Sequence, residues 1–122
     1  LAERRHDPSH CVHTDPVAHF VCEHAAALST RAEVAQRFGL SPDTVSSRVR
    51  CATGKTFTEF LHACRLRQAC HLLESTALNV SQVAARVGFS TSQHFSRIFH
   101  RYVGLSPARY RLQRRALKNS LP

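Results

Sequence analysis

The chemically most capable side chains in this sequence are its 15 arginines, set against only 2 lysines, and they are unevenly spread. Residues 1–74 carry nine basic and eight acidic side chains, whereas residues 75–122 carry eight basic ones and no acid, so the net +9 divides as +1 and +8. A soluble helical surface ordinarily interleaves both signs, and a long acid-free stretch points to a polyanionic partner such as nucleic acid or an anionic membrane. Arginine is the side chain that forks onto phosphate and onto guanine. Within that stretch, Ser92, Gln93, Ser96, Arg97 and His100 recur at helical spacing, opposite an apolar stripe of Phe95, Ile98, Phe99 and Tyr102. Short polar groups and Arg on such a face can approach base edges closely, whereas a solvated face would more often carry Glu and Lys. Gln93 and Arg97 are therefore expected to read bases, with a merely solvated basic face as the plainer alternative.

Other chemistries find less support. His6, His10, Cys11 and His13, followed by His19, Cys22 and His24, are zinc-type ligands, but their spacing matches no structural zinc pattern and includes no CxxC pair. No metal and no cofactor is expected. Ser, His, Asp and Cys all occur, yet there is neither a nucleophile elbow nor a phosphate-cradling glycine loop, so catalysis is not expected. The five cysteines (Cys11, Cys22, Cys51, Cys64, Cys70) are an odd number without paired spacing. They suit a reducing cytoplasm, with most thiols serving as small apolar fillers. A helical adaptor binding RNA or acidic proteins through the basic C-terminal half is the alternative function. An RNA reader would offer exposed aromatics for stacking, and here most aromatics fall on apolar stripes.

The elements that must position these side chains show an internal repeat. Gly39 and Gly54 are echoed by Gly88 and Gly104, offset by 49 and 50 positions. Val34-Ala35-x-x-Phe38-Gly39-Leu40-Ser41 is echoed by Val83-Ala84-x-x-Val87-Gly88-Phe89-Ser90, and the start signals Thr30-x-x-Glu33 and Asn79-x-x-Gln82 keep the same register. Each copy reads as a short amphipathic helix, over 31–38 and then 80–87, running into a glycine that turns the chain sharply. A second helix starts at Ser41-Pro42 in copy one and at Ser90 or Thr91 in copy two, with Gln93 available as a reciprocal cap. Ala35 and Ala84 lie where two helices must approach closely. Helix, glycine turn, helix is the helix-turn-helix arrangement, whose second helix enters the major groove of duplex DNA. In copy one, Val45 and Val49 face inward, with Pro42, Asp43, Ser46, Ser47 and Arg50 outside.

A helix opened by Thr56-x-x-Glu59 and running to about Glu74 joins the copies, its apolar positions Phe57, Phe60, Leu61, Cys64, Ala69, Leu72 and Leu73 divisible between them. Its roughly 27 Å approaches the ~34 Å between successive major-groove faces on one side of B-DNA. A leading helix over 17–28 (Val17, Phe20, Val21, Ala25, Leu28) packs the first copy, and a last helix begins at Ser106-Pro107 and includes Tyr110. The expected fold is all-α, about seven helices, with two homeodomain-like helix-turn-helix subdomains joined by a long linker helix. The expected division is an interdomain linker over 1–16, the first subdomain over 17–54, the linker helix over 55–76, the second subdomain over 77–115 and a tail over 116–122. With 122 residues and 43% hydrophobic content the chain suits one domain's worth of modest core. No stretch approaches the ~18 apolar residues of a membrane span, and no signal peptide opens it. A chain that begins at Leu1 and contains no Met reads as a piece of something longer.

These residues resemble the AraC/XylS family of bacterial transcription regulators. The likeness is carried by Val83-Ala84-x-x-Val87-Gly88-Phe89-Ser90, Phe95-Ser96-Arg97-x-Phe99 and Gly104-x-Ser106-Pro107-x-x-Tyr110-Arg111. Phe60-Leu61, Arg65-Leu66, Ala69 and Leu72-Leu73 add to it in the central helix. The resemblance covers about residues 17–113. It implies an asymmetric duplex site bound by a monomeric module of the cytoplasm, promoter activation through RNA polymerase, and a separate N-terminal effector or dimerisation domain. By motif position, it implies base reading by Asp43, Ser46 and Ser47 in the first unit and by Ser92, Gln93, Ser96 and Arg97 in the second. Phosphate contacts are expected from Thr44, Arg48 and Arg50, then Arg86, Thr91, His100 and Arg101. The first recognition helix departs from the family: Val49 stands where many relatives have a large aromatic, and Ser46-Ser47 where Arg or Gln is usual. Arg48 stands where relatives vary between apolar and basic, and its long stem can snorkel to a phosphate. Asp43 could accept from cytosine N4 or serve only the helix dipole.

Overall fold

Helix starts in this chain are written by short polar side chains that satisfy the first unpaired N–H groups. The computed structural model describes residues 15–27 and 30–120, with side chains through Lys118. Seven helices are present among the described residues, and no strand. They are α1 (Pro16–Glu23), α2 (Arg31–Phe38), α3 (Pro42–Thr53), α4 (Phe57–Ser75), α5 (Val80–Arg86), α6 (Ser92–Val103) and α7 (Pro107–Ser120). Asp15 Oδ1 accepts from Val17 N–H at 2.8 Å to open α1. Reciprocal boxes open α2 (Thr30 and Glu33), α4 (Thr56 and Glu59) and α5 (Asn79 and Gln82). In the α4 box, the backbone N–H of Thr56 holds the Glu59 carboxyl below its ordinary value of 4.5.

The chain divides into two units within α4, between Cys64 and Arg65. In the first unit Val17, Val21, Val34, Val45, Val49 and Phe60 are buried together; in the second, Leu73, Val83, Val87, Phe95 and Phe99 are. The long helix thus contributes to two separate cores, Phe57, Phe60, Leu61 and Cys64 to the first, and Leu66, Ala69 and Leu73 to the second. This is why α4 lacks a single apolar side.

The repeat seen in the sequence is a repeat of backbone geometry. Leu40 N–H donates to Ala35 O, and Phe89 N–H to Ala84 O, both at 2.9 Å. These bonds close the turns at Gly39 (φ 68) and Gly88 (φ 101), where the left-handed backbone suits a residue without Cβ. Ser41 Oγ then accepts from Thr44 N–H at 3.2 Å, as Thr91 Oγ1 does from His94 N–H at 3.1 Å. The correspondence continues beyond the two-helix motif: Phe60 N–H reaches Thr56 O and Tyr110 N–H reaches Ser106 O, each at 2.9 Å. α4 therefore begins as the third helix of unit one, the counterpart of α7.

Three expectations need correction. The leading helix ends at Glu23 rather than at 28: His24 leaves the helical backbone region (φ −111, ψ 21), and Ala27 N–H then bonds His24 O at 3.0 Å in a turn. Leu28 lies outside the described residues. Tyr102, expected on the apolar stripe, is 42% exposed. It stands in the last turn of α6, beyond the buried Phe95, Ile98 and Phe99. The last helix continues to Ser120, through positions read as tail.

Candidate nucleic-acid interface

Each unit offers one face of its second helix to solvent. In α3, Val45 and Val49 are fully buried and lock the helix against unit one. On the other side Asp43, Thr44, Ser47 and Arg50 are exposed, and Ser46 and Arg48 are half-buried. Two of these residues are engaged by a neighbour that the sequence did not single out. Arg31, at the start of α2, places Nη1 2.7 Å from Ser46 Oγ and 3.3 Å from Asp43 Oδ1. Arg48 Nη2 stands 3.5 Å from Asp15 Oδ1, the carboxylate oxygen that also caps α1.

In α6, Phe95, Ile98 and Phe99 are buried, and Phe95 packs between Phe89 and Phe99 at centroid separations of 5.4 and 5.6 Å. Opposite them Gln93, Arg97, His100 and Arg101 are exposed and Ser92 and Ser96 half-buried, so the second set of base-reading candidates shares one face. Thr91 caps the helix, which puts His94 rather than Gln93 at the third position. The expected reciprocal cap by Gln93 therefore does not form; the residue stands exposed in the first turn instead. Arg86 is exposed in the last turn of α5.

The basic excess is not all turned to that face. Arg111 Nε donates to Leu73 O at 2.9 Å and its Nη2 to Thr76 O at 3.1 Å, with Arg115 Nη2 also on Thr76 O at 3.2 Å. These guanidinium groups satisfy carbonyls at the end of α4, where the helix dipole favours cations. Glu74, the one acidic residue from position 65 onward, accepts from Tyr110 Oη at 2.5 Å and lies 3.6 Å from Arg114 Nε. Burial and then the Glu74 bond push the Tyr110 hydroxyl well above its ordinary value, and burial raises the Cys70 thiol beside it. Tyr110-Arg111 of the terminal motif is thus a clasp on α4. The signal was available in the sequence only as a motif, since its partners lie more than 30 positions away.

Of the histidines and cysteines weighed as metal ligands, His6, His10, Cys11 and His13 lie outside the described residues. His19 pairs with Glu23 (Nε2 to Oε2, 3.2 Å) and His24 bonds backbone. Among the described residues no group of three His, Cys, Asp or Glu side chains is placed to hold a metal ion. Nor is any described helix long and apolar enough to cross a membrane.

Tandem helix-turn-helix units, each with a polar, arginine-bearing outer face on its second helix, define the class of helix-turn-helix DNA-binding domains. A protein-family model described as a helix-turn-helix domain matches residues 34–113. The chain belongs to this family of AraC-type helix-turn-helix domains. Over 74 residues it is 42% identical to the HTH-type transcriptional activator RhaS of Shigella boydii, covering 61% of this chain and 27% of that protein. It spans, then, about a quarter of the length of that relative. The DNA-binding domain of AdpA, a global transcriptional factor solved in complex with a target DNA, superposes with a TM-score of 0.80 at 32% identity, covering 87% of this chain and 96% of that one. The C-terminal domain of AraT, a response regulator from Geobacillus stearothermophilus, gives a TM-score of 0.76 at 31% identity, covering 90% and 88%.

Proposed function

We propose that this chain is the sequence-specific duplex-binding part of a bacterial transcription regulator that acts as an activator in the cytoplasm. The observation that carries the reading is the α6 face, where Gln93 and Arg97 stand exposed opposite a buried Phe95-Ile98-Phe99 stripe, in a stretch without acidic residues. The likeness to a domain solved on its target DNA supports it. Ser92, Gln93, Ser96 and Arg97 read bases in one groove segment. Asp43, Ser46 and Ser47 supply the face offered to a second. Thr44, Arg48, Arg50, Arg86, Thr91, His100 and Arg101 hold phosphates, giving an affinity that falls with salt. RNA polymerase and an N-terminal effector or dimerisation domain complete the proposed set of partners, as the activator name of RhaS suggests.

Selection of bound duplexes from a random library tests this reading. The expected result is a site of two short boxes about one helical turn apart. Tight binding without a consensus, or a preference for RNA over duplex DNA, would overturn it.

A further inference from the structure

The reading face of α3 lacks what the face of α6 has. Its base-reading positions are Asp43, Ser46 and Ser47, none of which carries a long cationic fork. A fork is nevertheless present there, delivered from a different helix. We propose that Arg31 is the base-reading arginine of the first unit, with guanine as its target and with Asp43 and Ser46 as the groups that hold it. This deepens the proposed function and rests on it.

The geometry is specific. Both bonds, 2.7 Å to Ser46 Oγ and 3.3 Å to Asp43 Oδ1, use the same nitrogen, Nη1. The edge formed by Nη2 and Nε takes no part in them. That edge carries two parallel N–H groups, the pattern that O6 and N7 of guanine accept in the major groove. The Arg31 and Asp43 side chains are 46% and 94% exposed, so an incoming duplex can reach the pair. An ion pair so open to water adds little to folding. Its effect is to restrict a flexible side chain before binding, which lowers the ordering cost of the contact. Asp43 sits in the first turn of α3, where the helix dipole favours its negative charge. In this arrangement Asp43 holds the reader instead of accepting from cytosine.

Duplex selection with the intact chain and with Arg31→Ala, Arg31→Lys and Asp43→Asn, each checked for an unchanged melting profile, separates the possibilities. The wild-type chain should show a guanine in one box. Arg31→Ala should reduce the preference for it by about tenfold or more while leaving the other box intact. Arg31→Lys, which keeps the charge and loses the fork, should hold binding to random duplex within about twofold and lose the same guanine. Asp43→Asn should weaken that position alone. Retention of every preferred base by Arg31→Ala overturns the assignment, as does an equal loss on selected and random duplexes. A wild-type chain that prefers no duplex at all is a different failure, and it removes the proposed function together with this assignment.

Discussion

Tyr110 donates its hydroxyl to Glu74 Oε2 at 2.5 Å, closing α7 onto the end of α4 within the second unit. Tyr110→Phe deletes this bond and keeps the ring that meets Phe99 edge-on at 5.5 Å. A hydrogen bond to a charged acceptor is involved, so the expected loss is about 1.5–3 kcal/mol, read from urea unfolding. Because the folded state raises the hydroxyl above its ordinary 10.0, the bond's contribution is complete below pH 10 and fades as pH climbs further. Tyr110→Phe should therefore flatten that alkaline decline. An undiminished decline in the variant would assign it to other groups.

Arg97 and Arg101 are both exposed on α6, but their proposed tasks differ. Arg97→Ala should cost about 1–3 kcal/mol on the preferred duplex and relax the choice of base at one position. Arg101→Ala should weaken all duplexes alike and lower the salt slope by about one. Titrations on selected and random duplexes at several salt concentrations distinguish them. Equal losses for Arg97→Ala on both would defeat its role as a reader.

Glu59 closes the cap on α4, accepting from Thr56 N–H at 3.0 Å. Its carboxyl is held below 4.5, so the stabilisation is present above that pH and is lost as pH falls through the lower folded value. Glu59→Gln retains the reciprocal cap without the titrating charge. The gap in melting temperature between wild type and variant should narrow as the buffer goes from neutral to pH 3. A gap that stays constant over this range would show that Glu59 does not contribute to acid sensitivity.

Gly39 adopts φ 68 with no atom within 4 Å of a Cβ built there, so any cost of a side chain is conformational rather than steric crowding. Gly39→Ala should destabilise the first unit by about 1 kcal/mol, and Gly39→Asn by less, since Asn visits the left-handed region more readily. Thermal unfolding of both variants provides the comparison. Equal stability of all three proteins would contradict the argument.

Several caps, the glycine turns and most of the apolar stripes could be read directly from the residue order. Thr30 with Glu33, Asn79 with Gln82, the turns at Gly39 and Gly88, and the inward-facing Val45 and Val49 needed no more than a few neighbouring residues. The split of α4 between two cores was also visible, in apolar positions that no single helical face could hold. The choice between Ser90 and Thr91 as the cap of α6, and with it the place of Gln93, was not visible, because both residues can cap. The partners of the arginines were further still from view. Arg31 meets Asp43 and Ser46 across 12 and 15 positions, and Arg111 meets the end of α4 across 35 and 38. A helical turn satisfies its own backbone from residues three or four places away, so its signals lie side by side in the chain. A guanidinium on a long flexible stem bonds whatever acceptor the folded chain returns to its reach, and nothing in its immediate neighbours says which one that is.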